Sequence, residues 1–150
     1  PKEYSTTGNQ EIDGVLNYML QKANKTLNQV DVQINIPEDL YFNNFNICVI
    51  LGNLVDNAVR EASKSKEKLL TIKMQIKQEV LLIFIENSYS GKILEKRNGL
   101  QTTQPELAIH GIGLENVKKV VIANGGEIKI DYTSNRFCVQ VLLYMSRIKN

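Results

Sequence analysis

Two stretches carry side chains whose types and spacing could do chemistry. The first runs from Asn44 to Lys64, where Ile47, Ile50, Leu51, Leu54, Val55, Ala58, Val59 and Ala62 recur around most of a helix's circumference. Set into that apolar surface are Asn53, Asp56, Asn57 and Arg60. Positions 53, 57 and 60 follow i, i+4, i+7, and Asp56 borders the same stripe. Asn and Asp are poor helix-interior residues, because their side chains compete for backbone hydrogen bonds. Buried without partners they would each cost on the order of 1–3 kcal/mol. Two arrangements fit this spacing. The stripe is a solvated edge, with Asp56 and Arg60 as a weak surface ion pair. Alternatively, stacked amide oxygens beside a carboxylate take a magnesium ion that keeps some waters and binds phosphate oxygens. A solvated edge usually carries Lys and Glu rather than two amides one turn apart, but spacing alone leaves both arrangements open.

The second stretch is His110-Gly111-Ile112-Gly113-Leu114, which leads directly into Glu115-Asn116-Val117-Lys118-Lys119-Val120-Val121. Glycines before a helix let the backbone approach a ligand closely, and the helix start offers free N–H groups at a positive dipole end. That arrangement suits a phosphate. No Lys-Ser/Thr follows, which excludes a Walker-type loop. A polar stretch rather than a strand precedes the glycines, so the strand-to-helix context of a dinucleotide-binding fold is missing too.

These stretches must be positioned by the rest of a 150-residue chain, long enough for one domain with a full core. Apolar residues recur at helical spacing from Gln10 to Leu27, as Ile12, Val15, Leu16, Met19, Leu20, Ala23 and Leu27. Residues Val30 to Ile36 alternate as a half-buried strand does, and Pro37 stops them. After the helix 44–64, strands are predicted at about Leu69–Lys77 and Val80–Glu86, joined by a turn near Gln78-Glu79. Tyr89 to Ile109 is polar, contains Gly91, Gly99 and Pro105, and has no period, as expected of a lid or binding loop. A third helix is predicted from near Leu114 to the stop at Gly125-Gly126, then strands Glu127–Tyr132 and Phe137–Tyr144 about a turn at 133–136. The order α, β, α, β, β, lid, α, β, β predicts an α+β two-layer sandwich, a mixed sheet with helices on one face.

Net charge is only +2 and the Lys and Arg residues are dispersed, so no nucleic-acid surface is indicated. The longest apolar run, Val80 to Ile85, is too short to span a bilayer. Cys48 and Cys138 each sit inside an apolar pattern and read as buried free thiols. One His and two Cys make no familiar zinc site. Residues 1–9 read as a polar arm or linker and 10–150 as the domain. Beginning on Pro1, the chain is expected to be a piece of something longer.

Together these pieces resemble the GHKL superfamily of ATP-binding domains (the Bergerat fold), which includes sensor histidine kinases, gyrase, Hsp90 chaperones and MutL. Leu51-Gly52-Asn53-Leu54-Val55-Asp56-Asn57-Ala58-Val59-Arg60-Glu61-Ala62-Ser63 looks like the histidine-kinase N-box. Gly111-Ile112-Gly113-Leu114-Glu115-Asn116-Val117 looks like the second glycine box, and Asn124-Gly125-Gly126 like the end of its helix. In texture the chain is most similar to the Agr/Com-type peptide-pheromone kinases of Gram-positive bacteria, through Asp-Asn-Ala followed by Glu-Ala-Ser, a strand ending in Asn-Ser, and the opening Gly8-Asn9-Gln10-Glu11-Ile12-Asp13.

The resemblance implies an ATP and magnesium site. Asn57 would bind the metal, Asn53 would support metal or phosphate, and Arg60 would approach the phosphates. Gly111, Ile112, Gly113 and Leu114 would hold phosphates through the backbone, with His110 flanking them. The first glycine box departs from the family pattern of Asp, Asn, Gly, any residue, Gly. By strand register Asn87 takes the place of the adenine-reading Asp, Gly91 that of the last Gly, and Tyr89 that of the middle one. A neutral amide oxygen is a weaker acceptor than a carboxylate, so weak ATP binding is expected. Glu86 is the alternative reader if the register slips. Ile109 stands where the second box ordinarily opens with Gly.

Clamp ATPases of the superfamily carry a general-base Glu four residues before the metal Asn. Here that position is Asn53, which cannot take a proton near neutral pH. The resemblance therefore implies a protein-histidine kinase catalytic domain. Its phosphoacceptor would lie on a separate dimerisation domain absent from this chain, since the only histidine, His110, falls in the lid. It further implies a response-regulator partner, a membrane-bound homodimeric full-length sensor with this domain in the cytoplasm, and a monomeric fragment. A degenerate nucleotide sensor without phosphotransfer is the alternative, and a clamp ATPase the less favoured one.

Overall fold

The structure, a computed structural model, describes residues 3–40, 42–90 and 112–144. Helix α1 spans Gln10–Ala23, capped by Asn9, whose side chain accepts from the Ile12 N–H at 3.2 Å. The apolar period extends to Leu27, but the helix stops four residues earlier. Lys25 and Thr26 N–H groups turn back onto the Lys22 and Ala23 carbonyls, so Leu27 is buried by a tightened last turn and not by the helix itself. Residues 4–8, expected as a polar arm, lie along α1. The Asp13 carboxylate accepts from Ser5 Oγ at 2.6 Å, Thr7 Oγ1 at 2.9 Å and the Gly8 N–H at 2.9 Å, and Asn17 Oδ1 accepts from the Tyr4 and Ser5 N–H groups.

Strand β1 (Gln29–Asn35) leads to α2 (Asn44–Lys64), whose Asn43 cap accepts from the Asn46 N–H at 3.1 Å. Strands β2 (Leu69–Lys77) and β3 (Val80–Ser88) form a hairpin on a two-residue turn. Its residues Gln78 and Glu79 both have positive φ, 53° and 66°, a geometry that ordinarily draws Asn and Gly. Helix α3 (Ile112–Ala123) ends in a Schellman turn, with Gly125 at φ 74° and the Gly126 N–H bonded to the Val121 carbonyl at 2.9 Å. A Cβ on Gly126 would lie 2.4 Å from the Leu142 carbonyl oxygen, so glycine is what lets β4 (Glu127–Tyr132) start against β5 (Arg136–Tyr144).

The sheet order is β1-β2-β3-β5-β4, with β1 and β2 parallel and the other pairs antiparallel. The chain crosses from β1 to its parallel neighbour through α2, as parallel pairing requires. α2 sits between α1 and α3 and covers β2 and β3, while α3 covers β4 and β5. This is the α+β two-layer arrangement. The core lies between the layers, built from Ile47, Ile50, Leu51 and Val55 of α2 against Leu70, Ile72, Met74, Leu81, Ile83 and Val141. Along β3 the odd-numbered residues 81 to 87 point into that core and the even-numbered ones 80 to 86 face away.

Strand β3 runs two residues past the expected end at Glu86. Asn and Ser are weak strand formers, but here the ladder continues on both sides: Asn87 pairs with Leu70 and Phe137, and Ser88 with Arg136. Ser88 Oγ lies 2.7 Å from Ser65 Oγ at the end of α2 and accepts from the Leu69 N–H at 2.8 Å. A buried hydroxyl pair thus fixes the end of α2 to the start of β2 and the end of β3.

Candidate functional site

The polar stripe of α2 divides on folding. Asp56 and Arg60 stay at the solvent edge as an ion pair, their side chains 61% and 48% exposed. Asn57 goes inside, at 5% exposure. Its Oδ1 accepts from Arg60 Nη1 at 3.1 Å, and its Nδ2 is buried with no hydrogen-bond partner among the described residues. Asn53, half-buried one turn earlier, donates Nδ2 to the Val49 carbonyl at 2.8 Å, which leaves its Oδ1 as the acceptor available to a ligand. The stripe thus presents a surface ion pair on one side and an interior amide on the other.

Facing Asn57 is the end of β3. Asn87 is 2% exposed and points to the helix layer because of its odd place in the strand. Its Nδ2 donates to the Ser88 carbonyl at 2.9 Å, and that bond orients the amide so that Oδ1 is the acceptor left over. Asn57 and Asn87 line one small cavity whose other walls are apolar, from Leu54, Ala58, Ile85, Leu114, Phe137 and Val139. Its volume is about 10 Å³, near that of a single water and far below that of a purine. Leu114 belongs to the first turn of α3, so Ile112, Gly113 and Leu114 open that helix beside the cavity, and the N–H groups that no carbonyl within the helix can take lie at the same end. Gly91, His110 and Gly111 lie outside the described residues.

Glu86 does not belong to this site. It pairs with Thr71 and Cys138 on the uncovered face, where with Asp31 and Arg136 it borders a polar cleft of about 170 Å³. Bringing it to Asn57 would need a one-residue slip that turned every β3 side chain over. Arg136 is already engaged, donating to both Glu67 oxygens at 2.5 and 3.3 Å, which lowers the Glu67 carboxyl and raises the guanidinium. Tyr89, in the place of a glycine, is buried at 5% exposure. It donates its hydroxyl to the Thr133 carbonyl at 2.6 Å and sets its ring edge-on to Phe137, 5.8 Å between centroids. Since Phe137 is a wall of the cavity, Tyr89 braces that wall from behind.

Ser65 and Ser88 were not singled out by sequence reasoning. The signal available was a small polar residue at a helix end and another at a strand end, which nothing in the sequence connects. The cysteines are half-buried rather than buried; Cys138 pairs with Glu86 on the sheet face that points away from the helices. Burial first, then Glu86 and Asp131, push the Cys138 thiol up to about 11, and burial with Glu11 raises Cys48, so both are protonated and poor nucleophiles at neutral pH. Among the described residues no group of three His, Cys, Asp or Glu side chains could hold a metal by itself. The donor set instead suits magnesium, which takes one or two protein oxygens and completes its shell with water and ligand phosphates. Asn57 Oδ1 and Asn53 Oδ1 are the oxygens at hand.

Residues 42–144 match the GHKL domain family. No curated protein matches the chain by sequence. Among solved structures, the Acinetobacter baumannii histidine kinase AdeS superposes with a TM-score of 0.67 at 19% identity, over 92% of this chain and 64% of that one. The mycobacterial sensor histidine kinase MprB gives 0.61 at 16% identity, over 89% and 95%. The catalytic domain of histidine kinase ThkA, in a nucleotide-free form, gives 0.63 at 18% identity, over 93% of both. At these identities the likeness is one of fold. The chain spans less than two thirds of the AdeS chain it matches.

Proposed function

The chain belongs to the GHKL domain family, and from that premise we propose that it is the ATP-binding catalytic domain of a sensor histidine kinase, passing the γ-phosphate to a histidine on a separate dimerisation domain. The observation that carries the proposal is the pair of buried amides, Asn57 and Asn87, facing one cavity at the start of α3. A buried donor without a partner costs about 1–3 kcal/mol, and such a group is retained where a ligand answers it.

Asn87, one N–H of its amide held by the Ser88 carbonyl, presents Oδ1 as an acceptor to an exocyclic amine, which fits adenine. The cavity walls must part to admit the base, since the volume between them is that of one water. Arg60, on the exposed edge of the same helix, can leave Asp56 for a phosphate without crossing the core. Backbone N–H groups at the start of α3, from Gly113 and its neighbours, would hold phosphate oxygens at the positive end of the helix dipole. Magnesium, held by Asn57 with support from Asn53, would neutralise charge on the transferring phosphoryl group. Asn53 cannot act as a base, so water is not activated there and ATP is preserved for transfer.

In the full-length protein the partners are the domain's own dimerisation and phosphoacceptor helices and a response regulator. The setting is the cytoplasmic side of a membrane-bound homodimer responding to a peptide signal. A second reading, a nucleotide sensor without transfer, is favoured by Asn87 and Tyr89 in the first glycine box. Calorimetric titration with a non-hydrolysable ATP analogue tests the site. Binding that needs magnesium and is lost in Asn57→Ala supports it, and no binding at millimolar analogue refutes it. Labelling of the full-length protein from radioactive ATP then separates kinase from sensor.

A further inference from the structure

The one acceptor atom of the Asn57 side chain, Oδ1, is engaged by Arg60 in this structure, which takes one of its two lone pairs. Arg60 is held in that position from its other side by Asp56, which accepts from Nη2, so one guanidinium bridges a carboxylate and an amide at i−4 and i−3 on a single helix. The planar fork makes the two bonds from separate nitrogens, Nη1 to Asn57 and Nη2 to Asp56. As a result, the oxygen that a metal–nucleotide complex would take and the cation that its phosphates would take are tied to each other.

We propose that Asp56 is a positioning residue that parks Arg60 on Asn57 when no nucleotide is bound, so that the affinity of the site is set partly by release of this clasp. The inference rests on the ATP-site reading above and adds its regulation. Binding of a nucleotide triphosphate with magnesium exchanges two internal bonds for two external ones: Arg60 moves from Asp56 to phosphate, and Asn57 Oδ1 from Arg60 to the metal shell. Asp56 opposes that exchange without touching the ligand, and a partner that engages Asp56 would lower the barrier to loading. The pair is more than a third exposed, so its hold is modest, as a switch of this kind requires.

The test is a double-mutant cycle on magnesium-dependent binding of a non-hydrolysable ATP analogue, read by calorimetry, with unliganded thermal stability checked for each protein. Asp56→Ala should tighten binding about two- to fivefold, the range of an exposed ion pair. Arg60→Ala should weaken it, and adding Asp56→Ala in that background should change nothing further. An equal gain in both backgrounds would mean that Asp56 acts only by repelling phosphate charge, and would overturn the clasp. So would no change, or a loss, in Asp56→Ala. If the unaltered chain binds no analogue, the nucleotide reading fails and the clasp falls with it. Binding by the unaltered chain with no effect of Asp56 fails the clasp alone.

Discussion

Replacing Asn57 by leucine should leave the unliganded domain about as stable as its parent while destroying its response to nucleotide. Leucine keeps the branching and heavy-atom count of asparagine, so no cavity term enters, but its methyl groups are bulkier than the amide and overpacking beside so small a cavity costs about 1 kcal/mol. The substitution removes a buried Nδ2 that has no partner among the described residues, recovering about 1–3 kcal/mol of desolvation cost. It also removes the 3.1 Å bond from Arg60, worth about 0.5–1 kcal/mol, at the low end because the Arg60 side chain is 48% exposed. These terms nearly cancel, so the unliganded variant should match its parent to within about 1 kcal/mol, or roughly 2–4 °C in Tm for a domain of this size. The unaltered domain with nucleotide at a hundred times its Kd should gain about 2.7 kcal/mol, and the variant none. Denaturant unfolding and thermal scans, each with and without magnesium and an ATP analogue, give all four stabilities. An unliganded variant less stable than its parent by 1 kcal/mol or more would refute the argument that Asn57 is kept at a cost to the fold. A variant that still responded to nucleotide would refute its place in the site.

Changing Gln78-Glu79 to Asn-Gly should raise stability by about 1–2 kcal/mol in urea unfolding, because both positions have positive φ, at 53° and 66°, where asparagine and glycine are unstrained. Gly126→Ala should cost about 2–3 kcal/mol or prevent folding, since the added Cβ meets the Leu142 carbonyl at 2.4 Å and backbone cannot step aside as a side chain would. Ser88→Ala should cost about 1–2 kcal/mol in the same assay, because it leaves the Leu69 N–H without its acceptor, while Ser65 keeps the Ala62 carbonyl and the Lys68 N–H. The Asp13 carboxyl is raised by burial, but the hydrogen bonds from Ser5, Thr7 and Gly8 outweigh that and hold it below the ordinary value of 3.8. Its contribution to stability is therefore complete above that value and lost as pH falls through the lower folded one, so Asp13→Ala should flatten the acid limb of a stability–pH profile.

The sequence by itself determined the elements and their periods. Helix 44–64 and strands 69–77 and 127–132 were legible to the residue, because each has a clean period closed by a cap, a turn or a glycine stop. It also marked Asn53, Asp56, Asn57 and Arg60 as a polar stripe, since amides inside an apolar helix have no ordinary structural use. Which of the four would be buried was not legible: side chains three and four apart share a helix face, and only the packing of α2 against β3 and α3 decides that Asn57 goes in and Asp56 stays out. The choice between Asn87 and Glu86 was likewise tertiary. Strand alternation says that they face opposite ways, but only the placement of α2 says which way is the site. The extra length of β3, the Ser65–Ser88 bond and the bracing of Phe137 by Tyr89 join residues from 17 to 50 positions apart. Local propensity reads each of them as a turn or a helix end. Their partners exist only once the sheet order β1-β2-β3-β5-β4 has brought distant strands together.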